Sequence, residues 1–509
     1  MSDRLFLVKV LGLSAVPRVL TACLTLISFS VMVRALGAPA YGVLVYLGAV
    51  IGILESFVDF GVSSAAGKGI AEARVKRSQT LRVEVAEWAR LQGMVAVVGF
   101  VPFLGIAYVA VRANGRIEIH TLLILVVALS AWITIAANLI RACLRSCLAF
   151  KALAVLDTAE SVARSASWLL VAWFAPTTMG LAVAGLVVTG VPCAVGSLML
   201  RRVLRRSYAN PDCPNAAGVR QPAGPPYRMM LKESLSFLGL RVSTRMFQAL
   251  PIVVIGRMFG ADIVGIIGSF GKIAEQMGFP FAVIGNALAV RAEEVRSRGE
   301  AAVVALWDAA LRFVVSSGVL AGGVFLAAGL LARILTPESP IASTVFAILS
   351  LSVITSAVSS VVAPMSDYVG ALRQRVVMIT VFTIGQLPVI WIGGKLFGQV
   401  GAVVAYVVAV LLMNGGYLSI AKRAFLGRSP YVCRSEIWYL TGLSATALVV
   451  SLCVRRLMGE GILPLVRHVD VSLLQLLVFG SVIVAGVGLS QRMRAMFFSW
   501  SFFDFSGER

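Results

Sequence analysis

The chain has 509 residues, 59% hydrophobic and only 14% charged, with a mean hydropathy of +0.91. A soluble globular domain is about 25% charged, so this composition excludes a soluble enzyme, a disordered chain and a secreted disulfide scaffold, and leaves a polytopic membrane protein. The net charge of +21 would suggest nucleic acid in a soluble protein; in so apolar a chain it reports basic cytoplasmic loops, and no nucleic-acid partner is expected.

A spanning helix needs about 20 apolar residues. Apolar windows fall at 11–35, 41–67, 91–112, 119–140, 152–175, 178–200, 235–257, 262–290, 304–333, 341–366, 376–394, 399–421, 436–454 and 471–490, which makes 14 candidate helices. The runs are long and do not alternate with period two, so strands are not expected. The first window precedes Ala38-Pro39-Ala40, which has the look of a leader cleavage site. Arg18 interrupts that window, and the segment recurs later in the chain, so it reads as a spanning helix. The charged stretch 70–90 reads as an interfacial amphipathic helix. The segment 201–232 is basic and holds five prolines, the composition of a linker. The tail from Phe497 to Phe503 reads as an aromatic anchor at the inner surface.

Orientation follows from Lys and Arg. With the N-terminus in the cytoplasm, 30 of the 45 basic residues fall in the N-terminus and inner loops and nine in outer loops. The positive-inside rule then places both termini in the cytoplasm. Seven cysteines, an odd number, and two histidines show no metal-ligand spacing, so neither a disulfide framework nor a metal site is expected. No P-loop or nucleophile–histidine constellation occurs, and no outer loop is long enough for a catalytic domain, so a transporter is expected in place of an enzyme.

The chain repeats itself. At an offset of 223 residues, Arg18-Val19 falls on Arg241-Val242, Thr21 on Thr244, Arg34 on Arg257, Gly37-Ala38 on Gly260-Ala261, Gly42 on Gly265 and Gly48 on Gly271. A later anchor, Gly180-x-x-x-Ala184, falls on Gly401-x-x-x-Ala405. Six helices separate the copies, so both insert with one orientation about an axis along the membrane normal. The expected fold is an all-α polytopic membrane protein of about 14 transmembrane helices. It comprises a six-helix N-lobe (1–205), a cytoplasmic linker (206–232), a six-helix C-lobe (233–425), and a terminal helix pair with its tail (426–509). Gly37 and Gly260 are expected at tight outer turns, where a small residue lets the chain reverse.

A charge at membrane depth costs at least about 2.5–3.5 kcal/mol and so invites an explanation. Glu160 with Arg164, Asp308 with Arg312, and Lys272 with Glu275 have the spacing of in-helix pairs; Lys272 is a substrate-binding candidate, and the other five with Asp157 are secondary site candidates. Arg18 has no carboxylate on its own helix. Folding helices one and two about the turn at 37–40 sets position 18 opposite Asp59, with Glu55 one turn away. That contact is either a permanent bridge or a switch in which Arg18 binds an anion and Asp59 takes a proton or cation. Arg241 and Arg245 lie one turn apart on helix seven, and the same folding rule sets Ala282 and Gly278 opposite them, neither a carboxylate. They are the leading candidates for an anionic ligand, with Lys272 nearby in sequence; the bland reading is snorkelling to the cytoplasmic face. Three guanidiniums, Arg18, Arg241 and Arg245, would suit a diphosphate, whose oxygens match the guanidinium fork.

The run from Val33 to Gly42 (VRALGAPAYG) and the run from Asp59 to Ala65 (DFGVSSA) resemble the start of bacterial polysaccharide-export proteins. These are O-antigen and exopolysaccharide repeat-unit flippases of the multidrug/oligosaccharidyl-lipid/polysaccharide exporter superfamily, which also holds the lipid II flippase and the multidrug and toxin extruders. The resemblance implies two six-helix bundles around a cationic central cavity in the bacterial inner membrane. It implies an undecaprenyl-diphosphate-linked oligosaccharide as cargo, carried by alternating access, with membrane lipids and the polymerase and glycosyltransferases of the same pathway as partners. Family members use cavity arginines, for which Arg18, Arg241 and Arg245 match by helix and depth. No cofactor is implied beyond coupling to a proton or sodium gradient, for which Glu55 and Asp59 are the candidates. The alternative is an ion-coupled multidrug antiporter of the same superfamily.

Overall fold

The computed structural model describes residues 21, 23–76, 81–112, 119–147, 149–208, 226–297, 307, 321–337, 339–353, 357–362 and 372–426. Every regular element among them is helical. In chain order these are α1 (Cys23–Leu36), α2 (Ala38–Val58), α3 (Val62–Lys76), α4 (Leu81–Arg112), α5 (Thr121–Ser146), α6 (Phe150–Phe174) and α7 (Thr178–Tyr208). After the linker come α8 (Tyr227–Phe259), α9 (Ala261–Ser297), α10 (Ala321–Leu335), α11 (Ala342–Leu349) and α12 (Leu372–Leu426). Six of them (α2, α4, α5, α7, α8 and α12) contain stretches long and apolar enough to cross a membrane. The molecule is a multi-pass membrane protein. Arg18, Asp308, Arg312 and the terminal pair expected beyond Leu426 lie outside the described residues.

The apolar windows become helices because leucine, valine, isoleucine and alanine satisfy the backbone internally, as lipid requires. Their termini follow local chemistry. Gly37 (φ 80°) and Gly260 (φ 92°) end α1 and α8 in conformations with φ that L side chains rarely adopt, and α2 restarts at once with Pro39 in its first turn. Glycine turns are thus present at both copies of the repeat.

Three expectations need correction. The window 41–67 is not one helix. Asp59 caps α2, Phe60 (φ 52°) and Gly61 (φ 74°) take left-handed conformations, and α3 starts anew at Val62. The stretch 70–90 is not one interfacial helix, because its described residues are divided between α3 and α4. Arg141, counted with an inner loop, lies within α5, which runs past its apolar window to Ser146.

Residues 13–265 form one compact unit. In it α5 packs on α6 and α7, while α2 packs on α4, α5 and α8. Tyr46, Leu47, Val50 and Ile51 of α2 meet Phe103 of α4 and Leu123, Ile124 and Ala128 of α5 in one buried cluster. A second cluster gathers Val62, Ala66 and Ile70 of α3 around Trp88 of α4, with Met230 of α8. α8 therefore lies along α2 and α3 for its whole length. Near its start Tyr227 donates its hydroxyl to Glu87 at 2.5 Å, and Glu233 lies 3.9 Å from Lys68. At Gly61 the backbones come so close that a Cβ would overlap the Ser234 carbonyl and sit 2.7 Å from the Leu238 nitrogen.

At the Gly37 turn, α2 also crosses the first turn of α9. A Cβ on Gly42 would overlap the Ala261 carbonyl and lie 2.8 Å from the Gly265 nitrogen. A Cβ on Gly265 would overlap the Ala38 carbonyl and lie 3.2 Å from the Ala38 Cα. These four are two repeat-matched pairs, Ala38 with Ala261 and Gly42 with Gly265, each touching the other's counterpart. Small residues four apart let helix backbones approach where lipid offers no hydrophobic drive.

The described residues from Ile266 onward belong to the second unit. Phe270 of α9 packs on Phe346 of α11 with ring centroids 5.5 Å apart. α12 is two helices joined at Gly398 (φ 65°). Their return lays Arg375 over the Tyr417 ring at 5.1 Å. Gly393 and Gly401 face each other there: a Cβ on Gly393 would sit 2.8 Å from the Gly401 carbonyl and 3.1 Å from the Ala405 Cβ.

Candidate functional site

The break between α2 and α3 concentrates polar groups. Glu55 and Asp59 share a face of the α2 end at i,i+4 spacing, where like charges repel. Ser63 stands one turn on, in α3. Both carboxylates are buried; the Asp59 side chain has no exposed surface. Two buried carboxylates on one face need a cation, and α8 supplies it. Arg241 Nη1 lies 3.0 Å from Asp59 Oδ2 and donates to Ser63 Oγ at 2.5 Å. Arg241 Nη2 lies 3.8 Å from Glu55 Oε1. Ser63 in turn donates to Asp59 Oδ2 at 3.0 Å. On the far side Asn138 of α5 reaches Glu55 Oε1 at 3.5 Å.

Arg241 is not sealed in: 24% of its side chain is exposed. Arg245, one turn further along α8, is exposed, and its Nε would lie 3.4 Å from a Cβ on Gly52, one turn before Glu55. Among the described residues no carboxylate stands within the 4 Å ion-pair distance of Arg245. Asp59 Oδ1 accepts no hydrogen bond among the described residues. Among the described residues the site thus holds two guanidiniums and two carboxylates, with Arg245 acting on Glu55 by its charge from beyond ion-pair distance.

The sequence reading set Glu55 and Asp59 one turn apart and found no carboxylate for Arg241 within its own hairpin. The structure supplies its carboxylates from outside that hairpin. The folding rule compares only helices joined by a turn, whereas Arg241 reaches its carboxylates on α2, far away in the chain. The partner proposed for Asp59, Arg18, lies outside the described residues. Ser63 was missed, although its i,i+4 spacing from Asp59 was visible. Asn138 had no sequence signal.

The secondary candidates separate. Lys272 pairs with Glu275 at 2.7 Å on an open face of α9. Asp157 is half-buried on α6. Glu160 pairs with Arg164, as its spacing suggested, and also with Arg141 of α5. Cys23, Cys143 and Cys193 stand outside any disulfide, and among the described residues no three His, Cys, Asp or Glu side chains converge as a metal site would need.

Comparison with known proteins adds to this geometry. The family model described as polysaccharide biosynthesis protein matches residues 7–275, more than half of the chain and all the residues of the Arg241 site. No curated protein matches the sequence significantly. Among solved structures, the chain is similar to the lipid II flippase MurJ in an inward closed conformation, with a TM-score of 0.62 at 11% identity, covering 94% of this chain and 98% of that one. It is as similar to an inward-facing multidrug resistance MATE family transporter of the MOP superfamily (TM-score 0.62, 13% identity, 81% and 96% covered). An outward-facing MATE structure matches with a TM-score of 0.56 at 12% identity over 83% and 96% of the two chains. At these identities the likeness concerns the fold.

Proposed function

The chain belongs to the polysaccharide biosynthesis protein family, and from that premise we propose that it is a flippase for a diphosphate-linked oligosaccharide. The cargo is an undecaprenyl-diphosphate-linked repeat unit, moved across the bacterial inner membrane for surface or exopolysaccharide synthesis. The observation that carries this reading is Arg241, half-open and held by Asp59 and Ser63, with Arg245 exposed one turn away.

Depth supports it. Arg241 lies 18 residues along α8 from Phe259, roughly 27 Å, and Arg245 roughly 21 Å. The hydrocarbon core is about 30 Å thick. With both termini cytoplasmic, Arg241 stands at the inner border, level with the phosphates of a lipid arriving from the cytoplasmic leaflet. Two guanidinium forks one turn apart match the oxygens of a diphosphate.

Binding then has a consequence for charge. When Arg241 turns to phosphate, Asp59 loses its ion-pair partner, and an uncompensated buried carboxylate is costly. Taking up a proton or sodium ion relieves that cost, which ties cargo binding to an ion gradient. Rocking of the two six-helix repeats against each other then exposes the loaded site to the other side. The glycosyltransferases that build the repeat unit and the polymerase that consumes it are the expected partners.

The test is purified full-length protein in proteoliposomes with a fluorescent polyprenyl-diphosphate disaccharide. Flipping is expected, and Arg241→Ala is expected to reduce it to the protein-free rate while the protein stays folded; normal flipping by the variant sinks the assignment. A second reading, an ion-coupled drug antiporter, is favoured by one observation, the fully buried Asp59 with its unpartnered Oδ1. It predicts gradient-driven efflux of cationic dyes and no movement of the lipid.

A further inference from the structure

A second polar group lies in the same unit, where no charge marks it. Trp88 and Gln92 stand one turn apart on the buried face of α4, 1% and 3% exposed. The indole Nε1 and both amide atoms of Gln92 have no hydrogen-bond partner among the described residues. An unpaired polar atom at such burial costs about 1–3 kcal/mol, so three on one stripe call for a cause.

Contact with α3 defines their place. A Cβ on Gly69 would lie 3.0 Å from Trp88 Nε1, so the glycine leaves the N–H side of the ring uncovered. α3 and α4 run antiparallel, and this contact sets Gln92 level with Ala65, two residues, roughly 3 Å along the axis, from Ser63. The same register holds two turns further along α4, where a Cβ on Gly99 would lie 3.1 Å from Cγ1 of Val58, the residue before Asp59. With both termini cytoplasmic, Leu81 is the inner end of α4, and half-buried Glu84 precedes Trp88 by one turn. The stripe of Glu84, Trp88 and Gln92 thus climbs one side of α4 to the level of Ser63.

The three atoms select their ligand. Two are donors and one is an acceptor. A metal cation would find a single oxygen, whereas water uses all three, within the roughly two to four partners that a buried water needs.

From this geometry we infer that Trp88 and Gln92 bind a short chain of water through which Asp59 exchanges a proton with the cytoplasm. The inference rests on the flippase reading, since the chain is closed while Arg241 donates to Ser63 Oγ. When Arg241 turns to phosphate, that oxygen accepts from the water at Gln92. The water passes a proton to Ser63 Oγ as Ser63 passes its own to Asp59 Oδ2, along the bond already present. Asp59 gains one proton, the cytoplasm loses one, and the water and hydroxyl end unchanged. Glu55 and Arg241 are the charged groups facing Asp59, Arg245 acts on Glu55 from further off, and Cys143 of α5 joins the cluster around Trp88. Cargo thus opens the path, and an unloaded carrier leaks no proton through it.

Stopped-flow mixing of purified full-length protein with a polyprenyl-diphosphate disaccharide, read by a pH dye in weak buffer, tests the path. The unmutated protein is expected to take up a proton on binding. Gln92→Met removes the amide at similar volume, and Trp88→Phe keeps a ring without the N–H. Each is expected to take up the same total at least about tenfold more slowly, Gln92→Met with an unchanged or higher melting temperature. A merely structural role would lower the melting temperature and leave the rate alone. Uptake at the unmutated rate in both variants overturns the path. Flipping of the same lipid in proteoliposomes separates the two readings. Flipping without proton uptake overturns the path and leaves the flippase reading standing; no flipping removes both.

Discussion

Helix α2 is held at its two ends by opposite kinds of contact, both to the second copy of the repeat. At the Gly37 end, Ala38 and Gly42 lie against Ala261 and Gly265 with no room for a single added carbon. At the Asp59 end, Glu55, Asp59 and Ser63 meet Arg241 through charges and hydrogen bonds. The first contact depends on backbones touching, and its energy is dispersion, lost steeply with a small separation. The second is made by charges and hydrogen bonds, which fall off more gradually with distance.

The largest effect is expected from breaking the polar end. Arg241→Ala leaves Asp59 buried without a cation, at about 3 kcal/mol or less given Arg241's partial exposure, and removes transport. Adding Asp59→Asn to that variant should recover stability without recovering transport, as a thermal-shift assay beside the flipping assay will read. If the double variant is no more stable than the single, the pairing is not what holds this end. Gly42→Ala and Gly265→Ala come next. Each forces two backbones apart and should cost about 1–3 kcal/mol, and the two should match, because their surroundings do. Unequal losses would mean that the crossing is not reciprocal in the membrane.

Asp59→Asn alone should be milder for stability. Arg241 keeps Ser63 and Glu55, while flipping falls about tenfold, equivalent to 1.4 kcal/mol, and becomes insensitive to the ion gradient. Unchanged gradient dependence would move the coupling role to Glu55. The smallest effect is a control. Gly48 and Gly271 are also matched by the repeat, yet among the described residues a Cβ on either meets nothing within 4 Å. Gly48→Ala and Gly271→Ala should therefore stabilise their helices by up to about 1 kcal/mol. A loss at either site would show that repeat identity, and not local crowding, decides which glycines matter.

Much of this architecture was legible in the residues. Charges in apolar windows stand out, which is why Glu55, Asp59, Arg241, Arg245 and Glu160 could be named. The Gly37 and Gly260 turns were legible because a positive φ is a local demand that glycine meets best. Partnership was not legible, since Arg241 and Ser63 are 178 residues apart and no rule of spacing crosses that distance. Arg141 was misplaced for a different reason. Hydropathy ends a window at the first arginine, but the backbone of α5 continues another turn beyond it. The break at 59–61 was hidden because Phe60 and Val62 kept the run apolar while Gly61 turned the chain.

The crossing of α2 with α9 has the form of an isologous interface: Ala38 meets Gly265 as Ala261 meets Gly42. Two identical subunits related by a two-fold axis make contacts of this kind. The crossing is therefore the seam along which two half-length chains would dimerise, preserved inside one polypeptide. A half-chain ending before the linker carries only one face of that seam, Ala38 and Gly42. Two such halves would offer each other the same small residues, so self-association of the isolated half is the mark this seam would leave.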